Sequence, residues 1–152
     1  MNYEQKLLNF IDENKIDSEH IIFQESCHSV DDACKASWAQ KDEFVKNICM
    51  MDTDWNLLVC ILKWEDKLDM KKIENIFWSK LRFATAEEIL EKTWYICGWT
   101  PSFGYEARFF VDERVLEKEI VYSWWWSEKS LLKVSPKEIL RVNKWKVVEI
   151  KK

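Results

Sequence analysis

Apolar residues recur along this chain at two spacings, and the switches between them outline its elements. Leu7, Leu8, Phe10 and Ile11 share one helical face within residues 3–14, opposite a polar face. His20–Glu25 is a short strand candidate. Ser29, followed by Val30, Asp31 and Asp32, reads as an N-cap with an acid at N3, opening a helix to about Ser37. Phe44–Asp52 and Asn56–Lys63 alternate as two strands around Asp54-Trp55, which predicts a hairpin. Leu68–Phe77 predicts a helix, Lys80–Phe83 a strand, and Thr85–Lys92 a helix capped by Thr85 with Glu88 at N3. Strands follow at Arg108–Asp112, Ile120–Ser123 and Ser130–Val134, with a single helical turn at Glu113–Leu116. Ser135–Val142 is a helix with Pro136 at N1, and Lys146–Ile150 a final strand. Strands and helices mix without regular βαβ alternation, so the expected class is α+β. No repeat or low-complexity linker interrupts the pattern. It predicts one domain, an N-terminal helix over 1–19 followed by a core over 20–152.

Composition narrows the setting. The 152 residues are 47% hydrophobic and 33% charged, enough to bury a core and too apolar for a disordered chain. No apolar run reaches bilayer length, and the acid-containing N-terminus reads as an amphipathic helix rather than a signal peptide. The expectation is a soluble cytoplasmic protein with no membrane partner. Cys27, Cys34, Cys49, Cys60 and Cys97 are odd in number and form no Cys-x-x-Cys pair, which fits ordinary reduced thiols. The net charge of −4 argues against a whole-molecule grip on nucleic acid. Its distribution is uneven, because residues 1–30 carry a net −4 and residues 129–152 a net +6. The basic end is either a solvated terminus or a local phosphate contact.

Ten Trp against two Gly is the main anomaly. Trp55 stands where a hairpin asks for Asp-Gly, and Trp38 where a helix asks for a C′ glycine. Trp64, Trp78, Trp94 and Trp145 also fall at element ends, while Trp124, Trp125 and Trp126 predict an exposed loop. Aromatic platforms can stack bases, but these residues punctuate turns along the whole chain. The reading adopted is that most of them occupy places the fold is built to give to glycine.

Few residues offer chemistry. Lys46 lies in Phe44-Val45-Lys46-Asn47-Ile48-Cys49-Met50, a costly place for an ammonium group unless it snorkels to the rim or faces a polar cleft. Alternation puts it on the face of Phe44, Ile48 and Met50. Both glycines lie in Gly98-Trp99-Thr100-Pro101-Ser102-Phe103-Gly104, a loop whose backbone could approach a ligand or simply connect two elements. Asp112 ends a strand, where it either caps the next turn or binds a ligand. Cys27-His28 carries little weight as a nucleophile pair, since neighbours on a strand point apart.

Taken in order, these segments resemble the YbaK/prolyl-tRNA synthetase-associated domain family, from about His20 to the C-terminus. The resemblance is carried by Ser29–Ala33, Phe44–Asn47, Leu81–Ala84 before the Thr85 helix, Gly98–Gly104, Phe110–Glu113 and Leu131–Glu138. The chain departs from the family pattern with Trp at 38, 55, 94, 99 and 124–126, with Asn47 in place of Thr, and with Ser102 where Pro is frequent. The resemblance implies a mixed, barrel-like sheet with packed helices and hydrolysis of the ester joining a wrong amino acid to tRNA, proline tRNA first. It implies no metal or other cofactor. Lys46 would be the catalytic residue, holding the terminal nucleotide or ester. Asn47, Gly98, Trp99, Thr100, Pro101, Ser102, Phe103, Gly104 and Asp112 would bind substrate. The implied partners are a tRNA acceptor end carrying an amino acid and an aminoacyl-tRNA synthetase. The alternative is a non-catalytic tRNA- or nucleotide-binding module on the same fold, which a bulky Trp99 in the loop would favour.

Overall fold

The alternation over residues 44–63 builds the central hairpin, strands β2 (Val45–Met51) and β3 (Leu57–Lys63), paired from Val45–Lys63 to Met51–Leu57. The computed structural model describes residues 3–23, 32, 34–35, 39–97, 100–125, 127–144 and 146–152. Parallel to β3 runs β5 (Arg108–Asp112), and parallel to β5 runs β8 (Lys146–Val148). On the outer side of β2, the two-residue β4 (Arg82–Phe83) pairs opposite Met50 and Met51. This five-stranded sheet has the order β4-β2-β3-β5-β8. A second sheet, β1-β7-β6, joins β1 (Ser18–Ile22), β7 (Ser127–Val134) and β6 (Val121–Trp125). A parallel bridge between Phe44 and Tyr122 links the two. The class is α+β as expected, but the described strands form two sheets rather than a closed barrel.

Alternation divides the core. Val45, Cys49, Met51, Val59, Ile61 and Val111 face one way and pack with Leu7 of helix α1 (Tyr3–Glu13) and Ile139 of helix α4 (Pro136–Asn143). Met50, Leu58, Cys60, Leu62 and Phe110 face the other way, against Ile73 of helix α2 (Met70–Phe77). Each fully buried Leu, Ile or Val contributes about 1.5–3 kcal/mol, so both faces are fixed in register.

Local signals set the helix ends. Asp69 caps α2, and Thr85 caps helix α3 (Ala86–Thr93) in a reciprocal capping box with Glu88. Ser135 caps α4 ahead of Pro136. Trp78 and Trp94 follow α2 and α3 with φ of 61° and 68°, and Trp55 sits in the hairpin turn at 64°. All three occupy the left-handed region that glycine serves without steric cost. They are also exposed, Trp78 at 92%. Trp38, Trp126 and Trp145 lie outside the described residues. Trp124 and Trp125 belong to strand β6, correcting the expectation of a loop there. The predicted helix at 29–37 falls mostly outside the described residues, of which Asp32, Cys34 and Lys35 are helical. Cys27 and His28 also lie outside them. Among the described residues, no helix is long and apolar enough to cross a membrane.

Candidate functional site

Because β4 covers only the end of β2, the first half of β2 keeps an open outer side. A cavity of about 280 Å³ occupies it, walled by Lys46, Asn47, Ile48 and Cys49, by Phe83, Ala84 and Ile89, and by Trp64, Cys97 and Thr100. Lys46 and Asn47 are neighbours on opposite faces of the sheet, so they flank this opening from its two sides. Lys46 is half-buried. Burial pulls its ammonium pKa below the ordinary value and nearby Lys67 acts the same way, while the Asp66 carboxylate opposes the shift.

On the other face, Asn47 braces the loop. Its Nδ2 donates to the Thr100 carbonyl at 2.9 Å, and its Oδ1 accepts from Ser102 Oγ at 2.8 Å. Ser102 Oγ also lies 2.9 Å from Ser123 Oγ on β6. Tyr105 donates its hydroxyl to the Pro101 carbonyl at 2.7 Å, and Asn143 Nδ2 donates to the Ser102 carbonyl at 3.0 Å. Three consecutive loop carbonyls are thus held by side chains of the fold. Thr100, Pro101, Ser102 and Phe103 are buried.

The expected site residues separate accordingly. Lys46, Asn47 and Thr100 line the cavity, and Pro101, Ser102 and Phe103 stand behind it. Gly104 does not line it. With φ of 96° it packs on α1, where an added Cβ would stand 3.3 Å from Leu7 Cδ1. Gly98 and Trp99 lie outside the described residues. Asp112 takes the capping role of the two open to it. Fully buried, it accepts from Arg114 N–H at 3.0 Å, Ile150 N–H at 2.9 Å and Lys151 N–H at 3.2 Å, and it does not reach the cavity. Cys49, Ile89 and Cys97 are cavity residues that no motif announced, and Ala84, part of the Leu81–Ala84 segment, was not singled out as a site residue. They come from a strand, a helix and two connecting segments, and only the tertiary fold brings them together.

Among the described residues, the cavity walls hold no histidine and no carboxylate. Burial pushes the Cys49 thiol up to about 12, so it is not a thiolate near neutrality. The described walls otherwise offer the Lys46 cation, the Asn47 amide, the Thr100 hydroxyl, the Cys97 thiol and backbone polar groups, a set suited to positioning and to stabilising a developing oxyanion. A larger hollow of about 750 Å³ lies at the far end of the hairpin between Trp55, Trp78 and Arg108. It is an open surface remote from Lys46.

The aminoacyl-tRNA editing domain family matches residues 24–142. The chain belongs to that family. Its fold is shared with a candidate trans-editing enzyme for prolyl tRNA synthetase, at 20% identity and a TM-score of 0.91, covering 100% of this chain and 98% of the other. It is shared also with the hypothetical protein APE2540, at 21% identity and a TM-score of 0.89, covering 97% and 99%. A scaffold used for computational epitope grafting has the same fold, at 15% identity and a TM-score of 0.89, covering 100% and 98%. No curated protein matches this editing-domain chain. The family assignment therefore rests on the sequence match, and the solved structures add the fold.

Proposed function

We propose that this editing-domain protein is an aminoacyl-tRNA deacylase acting in trans, which hydrolyses the ester of a mischarged tRNA. The observation that carries the reading is the meeting of Lys46, Asn47 and Thr100 at one small cavity beside an uncovered strand edge. An aminoacyl ester is already activated, so a site that positions it and stabilises the oxyanion needs no strong nucleophile. Lys46 offers a cation for the terminal phosphate or the ester, and the volume suits a small aminoacyl group. Proline tRNA carrying alanine or cysteine is the first substrate to try.

The basic C-terminal stretch is only partly available for phosphate. Arg141 binds Glu138 and the Asn14 carbonyl, and Lys133 and Lys151 lie near Glu19 and Glu149. Lys137, Lys144, Lys146 and Lys152 stay exposed and are the candidate contacts to an acceptor stem. The test is deacylation of a panel of mischarged tRNAs, with Lys46→Ala alongside. Turnover that falls in the variant supports the proposal. Tight binding of aminoacyl-tRNA without turnover would replace it with the non-catalytic module.

A further inference from the structure

The outer edge of β2 carries a short gap centred on Asn47. Successive residues of a strand turn their N–H and C=O groups alternately to one neighbour and the other. The Phe44 carbonyl accepts from Trp64 N–H at 2.8 Å on the β3 side, and the Cys49 carbonyl accepts from Ala84 N–H at 2.9 Å on the opposite side. Asn47, two residues before Cys49, therefore turns both its N–H and its C=O outward. Ala84 closes the edge beyond it, and the Phe44–Tyr122 bridge closes it before. Between these stops, no described residue bonds the two backbone groups of Asn47 or the N–H of Cys49, and Asn47 lines the cavity.

We propose that the aminoacyl group of the substrate pairs with Asn47 as a strand one residue long. Its α-ammonium donates to the Asn47 carbonyl oxygen, and its ester carbonyl oxygen accepts from the Asn47 N–H. An aminoacyl ester carries one donor and one acceptor about a single Cα, which is what this gap can satisfy. A longer peptide would meet Ala84 or Tyr122. The N–H bond strengthens as the carbonyl oxygen gains charge under attack by water, so it favours the transition state over bound substrate. Directly opposed residues of an antiparallel pair put their side chains on the same face. An L-aminoacyl side chain then lies on the Asn47 face, towards Thr100 and Ile89, and a D-aminoacyl side chain on the Lys46 face. The proposal rests on the editing reading for its substrate, and its tests separate the two.

The first test is a backbone amide NMR titration with 3′-alanylamino-3′-deoxyadenosine, a non-hydrolysable analogue, against the propionylamino compound lacking the α-amine. The expected result is a downfield shift of the Asn47 amide proton with the first and a clearly weaker response to the second. An Asn47 amide unmoved at saturation, or moved equally by both, overturns the pairing. The second test measures deacylation of alanyl-tRNA and propionyl-tRNA, each relative to its own spontaneous hydrolysis. The enhancement is expected to fall about tenfold or more without the ammonium, the usual scale for a hydrogen bond to a charged group. Equal enhancement overturns the pairing. As a third test, Asn47→Pro deletes the N–H at an edge position where proline is tolerated. It should fall well below Asn47→Ala, which keeps the N–H, and equal rates count against the pairing. If no tRNA is deacylated yet the Asn47 amide responds, the editing reading fails and the pairing stands. Deacylation with a silent Asn47 amide gives the reverse.

Discussion

Ser102 Oγ donates to Asn47 Oδ1 at 2.8 Å across 55 positions of sequence, joining the loop to the strand that carries Lys46. Ser102 is 1% exposed and its oxygen also meets Ser123, so the hydroxyl end of the contact is buried while Asn47 is half-buried. Ser102→Ala would strand the Asn47 amide oxygen and weaken the hold on the loop. The expected cost is about 1–3 kcal/mol of stability, the scale for a buried polar group losing its partner. Urea denaturation measures it, and deacylation should fall as the Thr100 wall loosens. A variant as stable and active as the parent would show that the loop is held by other contacts.

Lys46→Met separates function from stability. Burial disfavours the charged ammonium in the folded chain, so its folded pKa lies below the unfolded value. By linkage, the parent gains stability as pH rises through the folded pKa of Lys46 towards the unfolded one. Met keeps the stem's packing and removes the charge, so the variant should be at least as stable at neutral pH. Its deacylation should drop about tenfold or more, as expected for a lost charge-assisted contact. Loss of both together would make Lys46 a structural residue.

Trp78 and Trp94 cap their helices in the left-handed conformation, each donating its N–H to the carbonyl four residues back, at 2.8 and 2.9 Å. A non-glycine residue costs roughly 1–2 kcal/mol in that region. Part of the gain from glycine is offset by the greater entropy it gives the unfolded chain. Trp78→Gly is the cleaner case, because Trp94 also receives the Lys6 ammonium 5.9 Å from its ring centroid. Thermal unfolding of Trp78→Gly should show higher stability by about 1 kcal/mol, with a smaller rise for Trp94→Gly. Lower stability in both would mean that the indoles gain more from packing than the backbone loses. If these are glycine positions of the natural chain, its intact mass when isolated from its own source should fall short of ten Trp. A mass agreeing with ten Trp would make the strain the protein's own.

What the sequence made legible followed from periodicity and caps. The β2–β3 hairpin, the Thr85–Glu88 box and Pro136 at the start of α4 are local signals, and the structure keeps each. Of the face expected to hold Lys46 with Phe44, Ile48 and Met50, Ile48 and Met50 pack in one cluster and Phe44 packs in another with Tyr122 and Leu131. Trp124 and Trp125 were misread because three consecutive indoles resemble an exposed loop, whereas pairing with β7 draws the first two into a strand. The cavity was beyond local reading. Whether Asn47 stands at an open edge depends on where β4 stops and where Tyr122 arrives, and both are long-range pairings. Asp112 was ambiguous for the same reason, since two of its three donors come from residues 150 and 151.

His20 gives the chain a predicted pH dependence. It lies on β1 opposite Leu132, and burial pushes its pKa down to about 4 from an ordinary 6.5. The unfolded chain therefore binds a proton at this site between those values while the folded chain does not. By linkage, stability falls as pH drops from about 6.5 to about 4 and levels once both states are protonated. Glu88, held down to about 2 by Arg82 and the Thr85 N–H, keeps its charge in the folded chain through that window. The urea midpoint should decline steadily between pH 6.5 and 4.5 in the parent. In His20→Gln the slope over this interval should be shallower, with the two curves converging in shape above pH 7. Superimposable slopes would mean that His20 is as well solvated in the folded chain as in the unfolded one.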